Sequence, residues 1–361
     1  MLSGILRWSA LWVLIWLVGT ACAFMLYGSA FVATPTLVAA IICTVVGGLI
    51  ATLVHEAGHA VAALACGWRV VAFSVRPIGL HVPSRRLVWL PREHRKDLGG
   101  YVASVPTTLA RGTIGRWMWI VAGGPAASLL FAAIALISRE TWLHGLDTPG
   151  LITSNFGSAL AIQSGLSAFG ALLPHGRSDG AQLLEAIRRE PEWVAHRPCT
   201  WLQTMLGYNV RLRDVPDWLV AAHRAVPHPA PQGDQHADGI DIGRVLDRDT
   251  SDYSHARMLI DAYRKRYGGG AWLDSCDAYL AAIGEGDAEG AAARLWHGDP
   301  DPRVQPMQHA AKAAVLAVQA DERGMHAELR DMRRAVRAQS PYPDATFRDI
   351  ERAIRGALRP A

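Results

Sequence analysis

The chain has 361 residues, half of them hydrophobic, and a formal net charge of +4. That length suits two or three domains, and so small a charge over so long a chain argues against a nucleic-acid partner. Five cysteines, Cys22, Cys43, Cys66, Cys199 and Cys276, are scattered without a CxxC pair, which supports neither a disulfide framework nor a cysteine zinc site.

The apolar residues crowd the first half. Four runs approach the ~20 residues that a helix needs to cross a bilayer: 10–31, 37–64, 117–137 and 151–173. The first run, with Arg7 ahead of it and Ser29-Ala30 at its end, also has the layout of a signal peptide, but its length favours a retained helix. The link after the first run carries no positive residue. The link after the second is rich in them, including Arg69, Arg76, Arg85, Arg86, Arg92, Arg95 and Lys96. By the positive-inside rule the N-terminus, the long second link and the C-terminal half lie in the cytoplasm.

The second run contains His55-Glu56-Ala57-Gly58-His59. On a helix the two histidines share one face, where both imidazoles can bind one Zn²⁺, and Glu56 can serve as a base toward water. Ionisable groups are expensive within hydrocarbon, so they tend to mark functional sites. The link that follows has strand-like pieces at 70–75 and 87–90, punctuated by Pro77, Gly79 and Pro83, which predicts a hairpin. Gly99-Gly-Tyr-Val-Ala103 reads as another short extended piece.

The third run holds Gly124-Pro125, and the fourth ends at Leu172-Leu173-Pro174, shortly before Ser178-Asp179-Gly180. With the expected topology His55 and His59 lie in the cytoplasmic half of their helix. A third ligand then comes from the same side: His81, Glu93, His94, Asp97, His175 or Asp179, with Asp179 best placed at the end of a packed helix. Glu140, His144 and Asp147 fall at the opposite face.

From about Ala181 amphipathic helices are predicted at 181–189, 215–225, 254–267, 271–283, 288–296, 304–319, 322–339 and 345–358. The polar stretch 227–249 reads as a loop. The helical hairpins from Ser254 onward are similar to repeat arrays but have no fixed period. His196, His223, His228, His236 and His255 lack ligand spacing and read as solvated or locally bonded.

An intramembrane His-Glu-x-x-His, a later Gly-Pro in a span and an Asp-Gly after another span together resemble the site-2 protease family of intramembrane zinc proteases. The resemblance covers roughly residues 37–184. It implies that His55, His59 and Asp179 hold Zn²⁺ and that Glu56 is the catalytic base. It also implies that Gly99, Gly100, Tyr101 and Val102 pair with extended substrate, and that the hairpin is membrane-associated. Ser128 and Ala171 stand where the family has asparagines thought to hold substrate or active-site packing, so the sequence departs from the pattern at both.

The fold expected is an all-α polytopic membrane protein with a small β-hairpin insertion and a C-terminal α-helical soluble domain resembling helical repeats. Its parts are an N-terminal transmembrane helix (1–35), a zinc protease core with three transmembrane helices (36–184) and a cytoplasmic helical domain (185–361). The expected location is the cell membrane with both termini cytoplasmic. Expected partners are a transmembrane protein or peptide substrate, membrane lipid and a cytoplasmic protein bound by the C-terminal domain. The alternatives are a non-enzymatic membrane adaptor with a structural zinc site and a zinc hydrolase of small amphiphiles. Glu56 favours an enzyme, because a structural site needs only its ligands.

Overall fold

In the computed structural model, residues 34–90, 99–108, 113–142, 148–176, 178–188, 190–226, 232–247, 253–298, 302–342 and 344–358 are described. The first apolar run and Glu93, His94, Asp97, His144, Asp147 and His228 lie outside them.

The second apolar run forms α1, Thr34–Ala65. The third lies within α2, Thr113–Trp142, and the fourth, except for its last residue, within α3, Thr148–Leu172. These three helices pack on one another. Small residues let α1 and α2 cross closely: a Cβ on Gly58 would sit 2.3 Å from the Gly123 carbonyl oxygen, and one on Gly123 would sit 2.7 Å from Gly58 O. Two stretches, Thr44–Ala65 and Thr113–Ser138, are long and apolar enough to cross a membrane, and Phe156–Leu172 is a shorter apolar helix. Their outer faces leave large apolar side chains uncovered, among them Trp119 at 73 %, Ile137 at 70 %, Leu130, Val61 and Phe169.

Between α1 and α2 lie β1 (Trp68–Val75), β2 (Ile78–His81), β3 (Arg86–Trp89) and β4 (Gly100–Pro106). They form one antiparallel sheet in the order β3-β2-β1-β4. The expected strand pieces are present, and β2 is an addition. Its Ile-Gly-Leu-His sequence, with Gly79 and flanking prolines, reads locally as a turn. Tertiary packing accounts for the strand, because a Cβ at Gly79 would already touch Val88, Leu90 and the Tyr342 hydroxyl at 3.3–3.4 Å.

The helices that follow are α4 (Asp179–Arg188), α5 (Glu190–Gly207), α6 (Asp217–Ala225) and α7 (Gln232–Leu246). Next come α8 (Tyr253–Tyr267) and α9 (Ala271–Leu280), which continues as a π-helical turn through Glu285. The last are α10 (Ala288–Arg294), α11 (Gln305–Val318), α12 (Glu322–Gln339) and α13 (Ala345–Ala357). Asp287, Asp321 and Asp344 cap α10, α12 and α13, each accepting a backbone N–H three residues on.

The expected loop at 227–249 is corrected by α7, which occupies Gln232–Leu246. Ala237, Ile240, Ile242 and Val245 give it a buried stripe. Its acidic residues are held by arginines: Asp238 and Asp241 by Arg224, and Asp234 by Arg266. Helix α5 was not among those predicted, because Pro191 and Pro198 argue against one. Its buried Trp201, Leu202 and Met205 form a helical stripe that outweighs them.

Two compact units divide the described residues. One takes in those of Met1–Ile78, Glu93–Ser104 and Ala110–Trp193; the other takes in those of Gly79–Arg92, Val105–Leu109 and Val194–Ala361. In the second unit Leu273, Leu280, Ile260, Ala310, Ala314, Leu329 and Ile354 build the core. His81 is part of this unit, with Nε2 2.8 Å from Tyr208 O and Nδ1 2.6 Å from Ser84 Oγ.

Candidate metal centre

Residues 55 and 59 are one helical turn apart on α1, so both imidazoles project from the same face. Asp179 opens α4, just past the end of α3. Among the described residues, His55, His59 and Asp179 form the group of three metal-ligating side chains whose donor atoms lie within 4.8 Å of one another. Asp179 Oδ2 is 3.1 Å from His55 Nε2 and 3.3 Å from His59 Nε2, and the two Nε2 atoms are 3.2 Å apart.

The other face of each ring is also engaged. His59 Nδ1–H donates to the Ile120 carbonyl at 2.8 Å, and His55 Nδ1 lies 3.0 Å from Ser128 Oγ. A carbonyl can only accept, so the neutral His59 ring carries its proton on Nδ1 and has a lone pair on Nε2. That lone pair faces the Asp179 carboxylate. Acceptors this close repel unless a proton or a cation sits among them. Two imidazole nitrogens and one carboxylate oxygen make the donor set of a catalytic zinc centre with a fourth position left open. The residues present therefore fit zinc.

Glu56, the residue after His55 in the same helical turn, is buried as well. Strand β4 comes directly against it: a Cβ on Gly100 would lie 2.5 Å from Glu56 Cγ and 2.4 Å from Ser74 O. Glycine is what lets the strand approach Glu56 so closely. Gly99, with φ at +119°, turns the chain into that strand in a conformation that side chains disfavour.

Tyr101 and Val102 are half-buried on β4. Ser128 is fully buried on α2 at His55, and Ala171 stands in the last turn of α3. Of the other third-ligand candidates, His81 is engaged with Ser84 and Tyr208. His175 is exposed, and its Nδ1 bonds Leu173 O at 2.9 Å. Neither joins the group.

Two contributors were not read from the sequence. Ile120 acts through its backbone, which no side-chain pattern signals. Gly124 stands in the sequence as half of a Gly-Pro pair, yet in the fold it makes room for the His59 ring. Elsewhere, His223 is locally bonded, as expected. It is buried, with Nδ1 3.2 Å from Cys199 Sγ and Nε2 3.1 Å from His236 Nδ1.

Comparison with curated proteins and with solved structures returns no match. The stretch carrying His55, Glu56, His59, the four strands and α2 does match a known family of zinc metallopeptidases: residues 43–142 fit the family model of Peptidase family M50, the site-2 protease family.

Proposed function

We propose that this protein is an intramembrane zinc metalloprotease that hydrolyses peptide bonds in or near a transmembrane segment of a membrane-protein substrate. The observation that carries this reading is the meeting of His55, His59 and Asp179 beside Glu56, with three of the four on an apolar helix. The uncovered apolar faces of α1–α3 support a lipid neighbour. Each large apolar side chain left in water forgoes about 1.5–3 kcal/mol of burial, and Trp119, Leu130 and Ile137 are only part of that surface.

Zinc bound by the three side chains supplies Lewis acidity and lowers the pKa of water toward ~7. The chain's own residues do the rest. Glu56 accepts a proton from the attacking water on its carboxylate and returns it to the leaving amine nitrogen. A substrate helix has its backbone bonds satisfied internally, so it must unwind to be cut. Strand β4 lies at the edge of the sheet, next to Glu56, and offers replacement hydrogen bonds to the unwound segment. Gly99–Val102 would be the pairing stretch.

In this reading the chain crosses the membrane four times, with both termini in the cytoplasm and the C-terminal helices recruiting a cytoplasmic partner. Protein purified in detergent should carry about one zinc per chain. A chelator should remove the zinc and stop cleavage, and added zinc should restore both. Zinc-free protein that cannot be loaded would overturn the proposal.

A further inference from the structure

The two imidazoles are held at Nδ1 by unlike groups. His59 meets a backbone carbonyl, which has no donor to offer and so fixes that ring's tautomer by itself. His55 meets the Ser128 hydroxyl at 3.0 Å, and a hydroxyl can donate or accept. We propose that Ser128 is the positioning residue for His55, accepting its Nδ1 proton and so presenting the Nε2 lone pair to the metal. This inference rests on the zinc reading of the site.

Three observations favour it over a role in holding substrate. Ser128 is fully buried, so the side chain has no surface to offer a substrate segment. Its hydroxyl is already committed to the ring. Its helix, α2, also supplies the Ile120 carbonyl to His59, so one helix sets the orientation of both imidazoles. Groups in this position fix the tautomer and rotation of a ligating histidine, and losing one costs about 10–100-fold in metal affinity.

The test uses full-length protein in detergent, with zinc affinity read by competition against a chromophoric chelator and geometry read from the Co²⁺ absorption spectrum. Ser128→Ala should lose about 10–100-fold in zinc affinity and alter the Co²⁺ spectrum, with helicity by circular dichroism unchanged. Ser128→Cys keeps the shape but offers only a weak acceptor, so it should follow the alanine variant. Ser128→Thr keeps the hydroxyl and should restore the affinity. If the threonine methyl disturbs the helicity, the alanine and cysteine variants decide. Wild-type affinity in Ser128→Ala would overturn the inference. So would a variant that binds zinc normally but has a raised KM for a cleaved substrate, since that would assign Ser128 to substrate. Failure of the wild-type protein to bind zinc would instead remove the site reading beneath it.

Discussion

A Cβ built on Gly124 would lie 2.3 Å from Nε2 of His59, so the imidazole rests directly on the α2 backbone. The Ile120 carbonyl, one turn earlier on that helix, takes the ring's Nδ1 proton. Together the two contacts hold the ring from beneath and from one edge.

Gly124→Ala should therefore displace the ring while leaving the helices intact. Overpacking of this kind costs about 1–3 kcal/mol, and a tenfold change in affinity corresponds to about 1.4 kcal/mol. Zinc affinity should fall about 10-fold or more with unchanged circular dichroism. Chelator competition on the purified variant checks it, and an unchanged affinity would show that the ring has room to spare.

The third ligand is tested by comparison. Asp179→Ala should strip most of the bound zinc, because three protein ligands are the usual minimum for a catalytic site. His81→Ala and His175→Ala should keep it, since both rings are bonded elsewhere. Metal analysis of the three variants decides the assignment. Zinc retained by Asp179→Ala and lost from His175→Ala would reverse it.

Much of this site is legible in the sequence because the helix repeat places residues 55 and 59 on one face regardless of tertiary context. Ser128 is different. Its partner is 73 residues away, and no local pattern connects a serine on one helix with a histidine on another. Helix α7 was hidden for a related reason. Its Gly239 lies against Trp272, and its aspartates find arginines on α6 and α8, so distant partners favour a helix that local propensity does not. Strand β2 is invisible locally because Gly79 signals a turn, while its neighbours Val88 and Leu90 need the space a glycine leaves.

The second unit offers a stability test. Glu351 is held below its ordinary value of 4.5 by hydrogen bonds from Arg333 and Arg355. A depressed carboxyl pKa stabilises the fold above the unfolded value, and that contribution disappears as pH falls through the folded one. Both arginines are more than 40 % exposed, so solvent screening limits the gain to about 1 kcal/mol. Glu351→Gln should lower stability by about that much at pH 7, and the difference from wild type should close in acid, below the value of 4.5. Denaturant titrations at both pH values, followed by circular dichroism, read it.

Topology is tested independently of chemistry. A reporter fused after Ala361 should report the cytoplasm, and one inserted between α2 and α3 should report the opposite side. A C-terminus found outside would contradict the assignment of spans.

The central claim is that Glu56 is the base beside a zinc held by His55, His59 and Asp179, and Glu56→Gln tests it most directly. The amide cannot accept the water proton, but it leaves all three ligands in place. Membrane fractions of cells expressing wild-type protein or this variant can be compared for membrane-protein fragments by mass spectrometry, with zinc content measured on each purified protein. The account predicts equal zinc in both proteins and fragments produced by the wild type alone. The same fragments in equal amounts from Glu56→Gln would contradict it.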